Sequence, residues 1–248
     1  MHIRNVYEDA DRAEAYAKLE FPGTYYLAYR DLPQIISAHG PGARAADFGC
    51  GTGRSTRFLR QLGFGVVGVD ISRDMIRKAR ELDPGGDYRL IEDGVVGGLE
   101  AGCYDLVLSA FSFDNIPGMD AKVRILKGLR TVLADGGCIV NLVSAPEIYL
   151  HEWASFSTKD FPENARAKSG ERVRIVITAT EDKRPVEDIV WSDQDYRRAY
   201  KSAGLAVVSI HKPLANGTEP YPWVNETRIA PWVIYALKDA GGGPPIGA

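Results

Sequence analysis

Ala46-Asp47-Phe48-Gly49-Cys50-Gly51-Thr52-Gly53 decides the fold. Residues 45–48 read as a short strand and residues 55–62 as a helix, so these glycines fill a strand-to-helix turn. Glycines at alternate positions let the chain turn sharply and bring its backbone against a ligand where a Cβ would collide. The helix that follows points its free N–H groups into the same space. The spacing is G-x-G-x-G, whereas the dinucleotide fingerprint G-x-G-x-x-G would need a glycine where this chain has Arg54. Asp47, immediately before the turn, is poorly placed for cradling a pyrophosphate and suits a positive ammonium or sulfonium group. Charge favours a cationic, amino-acid-containing nucleoside over a dinucleotide.

Downstream, a second strand over 66–69 ends in Asp70, twenty-one residues past Gly49. The two oxygens of a carboxylate there match the vicinal hydroxyls of a ribose, a device that a dinucleotide enzyme would share. Glu92-Asp93-Gly94 follows a third strand over 88–91. Asp93 there either receives an adenine amino group or is a turn-forming Asp before Gly.

Further outward the order of elements becomes regular. Ser72 caps a helix over 73–82, a strand covers 106–109, and a helix over about 119–134 leads through Asp135-Gly136-Gly137 into the apolar strand 138–143. Strands separated by helix-length segments, several of them continuously apolar, predict a parallel sheet covered on both faces. Upstream, residues 9–20 and 24–38 read as helices, the second interrupted by Pro33. Past Ser144 the rhythm breaks. Residues 145–192 read as an insertion with a hairpin, 173–180 and 186–191, that caps one end of the sheet. Ser192-Asp193-Gln194-Asp195 opens a helix by capping-box spacing, and strands near 205–210 and 232–237 complete one domain before a glycine- and proline-rich tail from 239 to 248.

The runs AADFGCGTGRSTRFL, VVGVDIS, IEDG and YDLVLSAFSFDNIP, in this order over residues 44–144, resemble the class I methyltransferases that use S-adenosylmethionine. The resemblance implies a Rossmann-like α/β fold: a seven-stranded, mostly parallel sheet whose last strand is antiparallel. It implies that Asp47, Gly49, Cys50 and Gly51 flank the methionine portion of the donor and Asp70 its ribose. Ile71 and Met75 would sandwich the adenine with Asp93 and Gly94 at its edge, and Ala110 and Phe111 would face the transferred methyl. In many small-molecule members an aromatic N-terminal segment folds over the donor. Tyr25 would then close on the sulfonium and Arg30 would pair with the donor carboxylate, the alternative being an amphipathic helix with a surface Arg.

Ligands of open α/β sheets sit at the carboxyl ends of the strands, which places the acceptor near the insertion and the loop after the fourth strand. His151 and Glu152 are the candidate bases; His151 titrates near neutrality and is suited to removing a proton from an attacking oxygen or nitrogen. Asp114, Asn115, Trp153, Trp223 and Glu226 are the candidate acceptor contacts.

Composition sets the outer bounds. The 248 residues are 45% hydrophobic and 25% charged, as expected of one globular domain. Thirty basic and thirty-three acidic residues give a net charge of −3, without the positive field of a nucleic-acid binder; Arg54, Arg57 and Arg60 read as a solvated helix face. Cys50, Cys103 and Cys138 have neither zinc nor disulfide spacing, the four histidines are dispersed, and no run is signal-like or membrane-spanning. The expectation is a cytoplasmic, metal-free monomer or homodimer that methylates a small molecule at O, N or C and releases S-adenosylhomocysteine. A methyltransferase of the same fold acting on a macromolecule, and a non-catalytic nucleoside-binding or NAD-dependent protein, are the alternatives.

Overall fold

The computed structural model describes residues 14, 21–40, 42–92 and 96–241. The helix expected over 9–20 lies outside the described residues apart from Glu14, as do Asp93, Gly94 and the last residues of the tail.

Two helices, α1 (Thr24–Arg30) and α2 (Leu32–His39), precede the sheet, and the break between them falls at Asp31 with Pro33 in the first turn of α2. Proline tolerates that position because the first-turn N–H groups have no intrahelical partner. The chain then alternates: β1 (Arg44–Phe48), α3 (Arg54–Gln61), β2 (Gly65–Asp70), α4 (Arg73–Leu82), β3 (Asp87–Leu90), β4 (Tyr104–Ala110), α5 (Met119–Val132) and β5 (Leu133–Ser144). Beyond the insertion come α6 (Asp193–Ser202), β9 (Leu205–His211) and β10 (Trp232–Asp239). The sheet order is β3-β2-β1-β4-β5-β10-β9, every neighbouring pair parallel except the two made by β10. This is the seven-stranded, mostly parallel sheet expected above.

The apolar runs of β4 and β5 serve both faces. Leu106, Leu108, Val140 and Leu142 pack towards α1, α2 and α3, whereas Val107, Ile139 and Val143 pack with Leu126, Leu129 and Tyr200 on the other side. Alternate side chains point to opposite faces of a strand, so a strand buried on both must be apolar throughout. Truncating Leu108, fully buried, to Ala would cost about 2–5 kcal/mol.

One sequence expectation is corrected here. Asp135-Gly136-Gly137 does not end a helix-to-strand loop but lies within β5, opposite β4, as a bulge. The register passes from Tyr104↔Leu133 directly to Leu106↔Cys138. Gly136 has φ 76°, which absorbs the extra residues, and a Cβ on Gly137 would press on the backbone oxygens of Tyr104 and Ala134.

Residues 145–192 form a second layer over the carboxyl ends of the strands. Three short strands, β6 (Phe156–Ser157), β7 (Arg172–Ile177) and β8 (Val186–Ile189), make an antiparallel sheet in the order β6-β7-β8. Its inner residues, among them Phe156, Ile175, Ile177 and Val186, belong to the same apolar cluster as α1 and Trp232. The contact is fastened by polar groups. Thr24 N–H donates to Ser155 Oγ (3.1 Å), Ser155 N–H to Thr24 Oγ1 (3.1 Å), and Trp232 Nε1–H to the Thr24 carbonyl (2.8 Å).

Candidate active site

The turn after β1 is held by backbone and by two carboxylates. Gly49 and Cys50 N–H both donate to the Val69 carbonyl, at 2.8 and 3.0 Å, which ties the turn to β2. Gly49, Gly51 and Gly53 have φ of 73°, 53° and 83°, in the left-handed region open to glycine. A Cβ on Gly49 would collide with Ser112 Oγ, and one on Gly53 with the Tyr88 ring. Gly51 differs, because a Cβ there meets no protein atom within 4 Å. Its open side is a cradle that a ligand's atoms can approach.

Asp47 is fully buried beneath this turn. Its Oδ2 accepts from the hydroxyls of Ser55 and Thr56, both at 2.6 Å, which fixes the first turn of α3 to β1. Its Oδ1 is buried with no hydrogen-bond partner among the described residues. Burial pushes the Asp47 carboxyl up to about 6, against the two hydroxyl bonds that pull it down, and the charge of Asp70 raises it further. A positive donor group would relieve that cost. Asp70 receives Gly51 N–H on Oδ2 and Ser72 N–H on Oδ1, each at 2.8 Å. Each oxygen therefore keeps a lone pair for a further donor, the requirement for gripping two vicinal hydroxyls. Beyond Asp70, Ile71 is 40% exposed while Met75, in the first turn of α4, is buried.

The end of β4 completes this half of the site. Phe111 has φ 64° and ψ −2°, the left-handed region in a residue other than glycine. Such a conformation costs about 1–3 kcal/mol and persists only where the surroundings enforce it. Here Phe111 N–H donates to the Leu142 carbonyl (2.8 Å), its ring packs on Trp232 (centroids 4.8 Å), and Ser112 Oγ donates to the Phe48 carbonyl (2.9 Å). The chain is thereby pinned to β1 and β5 at the point where it leaves the sheet, with Ala110 and Phe111 beside the glycine turn.

Between this turn and the insertion lies a small cleft of about 70 Å³. Tyr25, Arg54 and Phe111 line its side towards the turn, Phe156, Ile175 and Val186 its insertion wall, and Asp114, Asn115, Ser144, Tyr149 and Asp188 its polar end. Asp114 is buried and accepts from Ser144 N–H (3.1 Å) and Tyr196 OH (3.3 Å). Lys122, fully buried, donates to the Phe113 carbonyl and lies 4.7 Å from the Trp191 ring centroid. Burial pushes Asp114 up to about 6, and the Ser144 bonds and the charge of Lys122 pull against that. The same burial brings Lys122 down to about 7. Asp188 accepts from Tyr149 OH (3.1 Å), and burial together with the Asp114 charge pushes it up to about 8.

The residues named from sequence divide sharply. Tyr25, Phe111, Asp114 and Asn115 line the cleft together. Arg30 does not hold a ligand carboxylate in this arrangement. Its guanidinium is bound bidentately to Asp31 (2.8 Å on each oxygen) and to Glu219 (2.8 Å), because α1 turns that face away from the glycine loop. Arg54 is the guanidinium that faces the cleft, 4.8 Å from the Tyr25 ring centroid. His151 and Glu152 are not among the cleft-lining residues. Glu152 accepts from Thr158 N–H (2.6 Å) and closes a local turn; burial works to raise its carboxyl, and the bonds from Ser157, Thr158 and Lys159 outweigh it. His151 lies edge-on to Trp153, itself buried with its indole N–H on the Ile148 carbonyl (2.8 Å). Trp223 donates to Glu219 (3.2 Å) in the β9–β10 connection. Glu226 is fully buried, with Oε1 accepting from Thr24 Oγ1 and Ala154 N–H (2.7 Å each) and Oε2 from Val224 (2.8 Å) and Asn225 N–H (3.1 Å). It is a clasp between three segments rather than a group turned to the cleft. Sequence reasoning missed Tyr149, Asp188 and Ser144. A lone Asp in an alternating strand carries no local signal of what it faces.

The sheet order, with its carboxylate-flanked glycine turn and strand-end cleft, is that of the class I methyltransferase fold. Residues 46–141 match the family model described as a methyltransferase domain. Among solved structures it is similar to the CcbJ methyltransferase from Streptomyces caelestis (18% identity, TM-score 0.67, covering 96% of this chain and 100% of that one). It also resembles a putative S-adenosylmethionine-dependent methyltransferase from Listeria monocytogenes (15%, TM-score 0.60, 86% and 99%). Such identities speak for the fold. Among curated proteins it is 35% identical over 129 residues to a trans-aconitate 2-methyltransferase from Rhodopseudomonas palustris, covering 51% of this chain and 47% of that protein. It is 33% identical over 103 residues to a 2-methyl-6-phytyl-1,4-hydroquinone methyltransferase from Synechocystis, covering 40% and 31%. The matches thus span less than half the length of these relatives. Among the described residues no helix is long and apolar enough to cross a membrane, and no group of His, Cys, Asp and Glu is placed to hold a metal ion.

Proposed function

We propose that this protein transfers a methyl group from S-adenosylmethionine to a small molecule held in the cleft beneath the insertion. The observation that carries the reading is the pair of carboxylates around the glycine turn: Asp47 with a buried, unpartnered oxygen, and Asp70 with one lone pair left on each oxygen. The donor set fits an aminoacyl nucleoside. Asp47 and the turn's backbone would hold the amino-acid end, Arg54 its carboxylate, Asp70 the ribose, and Ile71 and Met75 the adenine. When bound, the donor supplies a methyl carbon on a cationic sulfur, which leaves as a neutral thioether.

For such a displacement the protein has to align the nucleophile with the methyl carbon and exclude water. Phe111, locked at the exit of β4, and Tyr25, on α1, form the aromatic boundary between the turn and the cleft, with their ring centroids 5.9 Å apart. The insertion roofs the cleft. Asp188 and Asp114 are the titratable groups at its polar end, and there a proton leaving the nucleophile would be taken up. His151 and Glu152 would act there only after the insertion shifts.

Small-molecule relatives, the small roofed cleft and the net charge of −3 support a small acceptor over a nucleic acid. We place the protein in the cytoplasm, working without a metal as a monomer or homodimer. The decisive test is calorimetry with S-adenosylmethionine, S-adenosylhomocysteine and NAD. Micromolar binding of the first two and none of the third is expected; the reverse order would end the reading.

A further inference from the structure

The polar end of the cleft has a sign, and the sign specifies an acceptor. Asp114 is already engaged by Ser144, by Tyr196 and by the buried charge of Lys122. Asp188 is held differently. Among the described residues its one hydrogen bond comes from Tyr149 OH, it retains some exposure, and it lines the cleft. With Asp114 set against Lys122, Asp188 is the acidic group of this end that an arriving cation would ionise and pair with. Aromatic rings line the same cleft. Trp232 lies 4.8 Å from Phe111, 5.6 Å from Phe156 and 5.9 Å from Tyr25, centroid to centroid. Ring faces attract cations, and most strongly where water is excluded. The remaining cation of the cleft, Arg54, sits against Tyr25 at the turn, on the donor's side.

We infer that the acceptor is an aliphatic amine, seated with its nitrogen between the Asp188 carboxylate and the aromatic wall, and that the enzyme is an N-methyltransferase. This deepens the methyltransferase reading and rests on it. The amine arrives as its ammonium; Asp188, protonated in the empty site, ionises against it by releasing its proton to solvent, and the ammonium then passes one proton to that carboxylate, so that the nitrogen carries a lone pair. That lone pair forms the bond to the methyl carbon while the carbon–sulfur bond breaks and its electron pair stays on sulfur. The methylated ammonium leaves as a cation. Burial keeps that carboxyl near the basicity such an exchange needs. Acceptors that carry their own carboxylate would be desolvated beside two acidic side chains, Asp114 and Asp188, and are disfavoured.

The test uses three probes of one skeleton: cyclohexylmethylamine, cyclohexylmethanol and cyclohexanecarboxylate. Each is titrated calorimetrically into full-length protein saturated with S-adenosylhomocysteine. The amine is expected to bind at least about tenfold more tightly than the alcohol, with the carboxylate weakest, as pairing with a desolvated charge requires. Asp188→Asn should bring the amine down to the level of the alcohol while S-adenosylhomocysteine affinity stays unchanged, which also shows that the variant is folded. Equal affinities, a carboxylate-first order, no detectable binding of the amine, or an amine preference that survives Asp188→Asn would each overturn the proposal. Failure of the wild type to bind S-adenosylhomocysteine is a separate result that removes the methyltransferase reading and this inference together.

Discussion

The two halves of the site are built by opposite means. The donor half is made from one short stretch of chain: a glycine turn, its two flanking carboxylates, and backbone N–H groups that bind them. The acceptor half is assembled from α1, the exit of β4, the end of β5 and the insertion, segments far apart in sequence that meet through side chains. Backbone architecture can hold one ligand unchanged while side chains at the other end are replaced. In keeping with the contrast, the family model matches residues 46–141, which carry the donor half, and not the insertion.

The sharpest way to break the comparison is to remove a donor-half carboxylate. Asp70→Ala deletes an anchor for two hydroxyls and a brace for the turn, so S-adenosylmethionine affinity should fall by about a hundredfold or more, since hydrogen bonds to charged groups are worth about 1.5–3 kcal/mol each. Calorimetry reads it directly, and a loss of only a few-fold would show that the ribose is held elsewhere. Next in size is the clasp. Glu226→Ala strands the Thr24 hydroxyl and three N–H groups, at a cost of about 3–5 kcal/mol, or about 10 °C in melting temperature. Scanning calorimetry should show that drop.

Gly51→Ala separates space from strain. Since nothing in the protein obstructs a methyl there, the melting temperature should fall only by the few degrees that a left-handed alanine costs, about 1 kcal/mol, while donor affinity drops about tenfold. Unchanged affinity would mean that the cradle at Gly51 faces no ligand. In the acceptor half, pH is the handle. Asp188 binds its proton up to about pH 8 in the folded protein, against about 4 when unfolded. The folded state therefore holds more protons between those limits, and stability declines as pH rises through that window, Asp114 and Asp47 adding to the decline up to about 6. Asp188→Asn should flatten the upper part of this decline, from pH 6 to 8, in melts recorded across pH; an unaltered slope would assign the proton elsewhere. The smallest expected effect belongs to His151→Ala. With the imidazole outside the cleft lining, turnover should stay within about twofold of wild type, within the ±0.5 kcal/mol typical of a surface change.

The same contrast decided what sequence could reveal. Asp47, the three glycines and Asp70 were legible because their spacing is local and only a few backbone shapes satisfy it. The sheet was legible for a related reason: strands buried on both faces must be apolar throughout. The polar end of the cleft was not. Asp188 sits in a hairpin strand with ordinary alternation, and its neighbours Tyr149 and Asp114 lie 39 and 74 positions away. His151 and Glu152 looked suitable because they follow β5 directly, but the short helical turn over Pro146–Tyr149 carries the chain past the cleft, so Tyr149 faces it and His151 does not. The resemblance implies that Arg30 pairs with the donor carboxylate, whereas Asp31, its immediate neighbour, binds it here.

The four-way bond at Glu226 has a consequence for how this enzyme can change. Thr24 of the leading helix, Ala154 of the insertion and the backbone at 224–225 all converge on one side chain. Because Glu226 lies outside the cleft lining, part of what keeps the roof in place is independent of the β7 and β8 side chains that look into the cleft. Those side chains share the task rather than carry it alone, and a lineage can trade one acceptor for another at a smaller cost in folding.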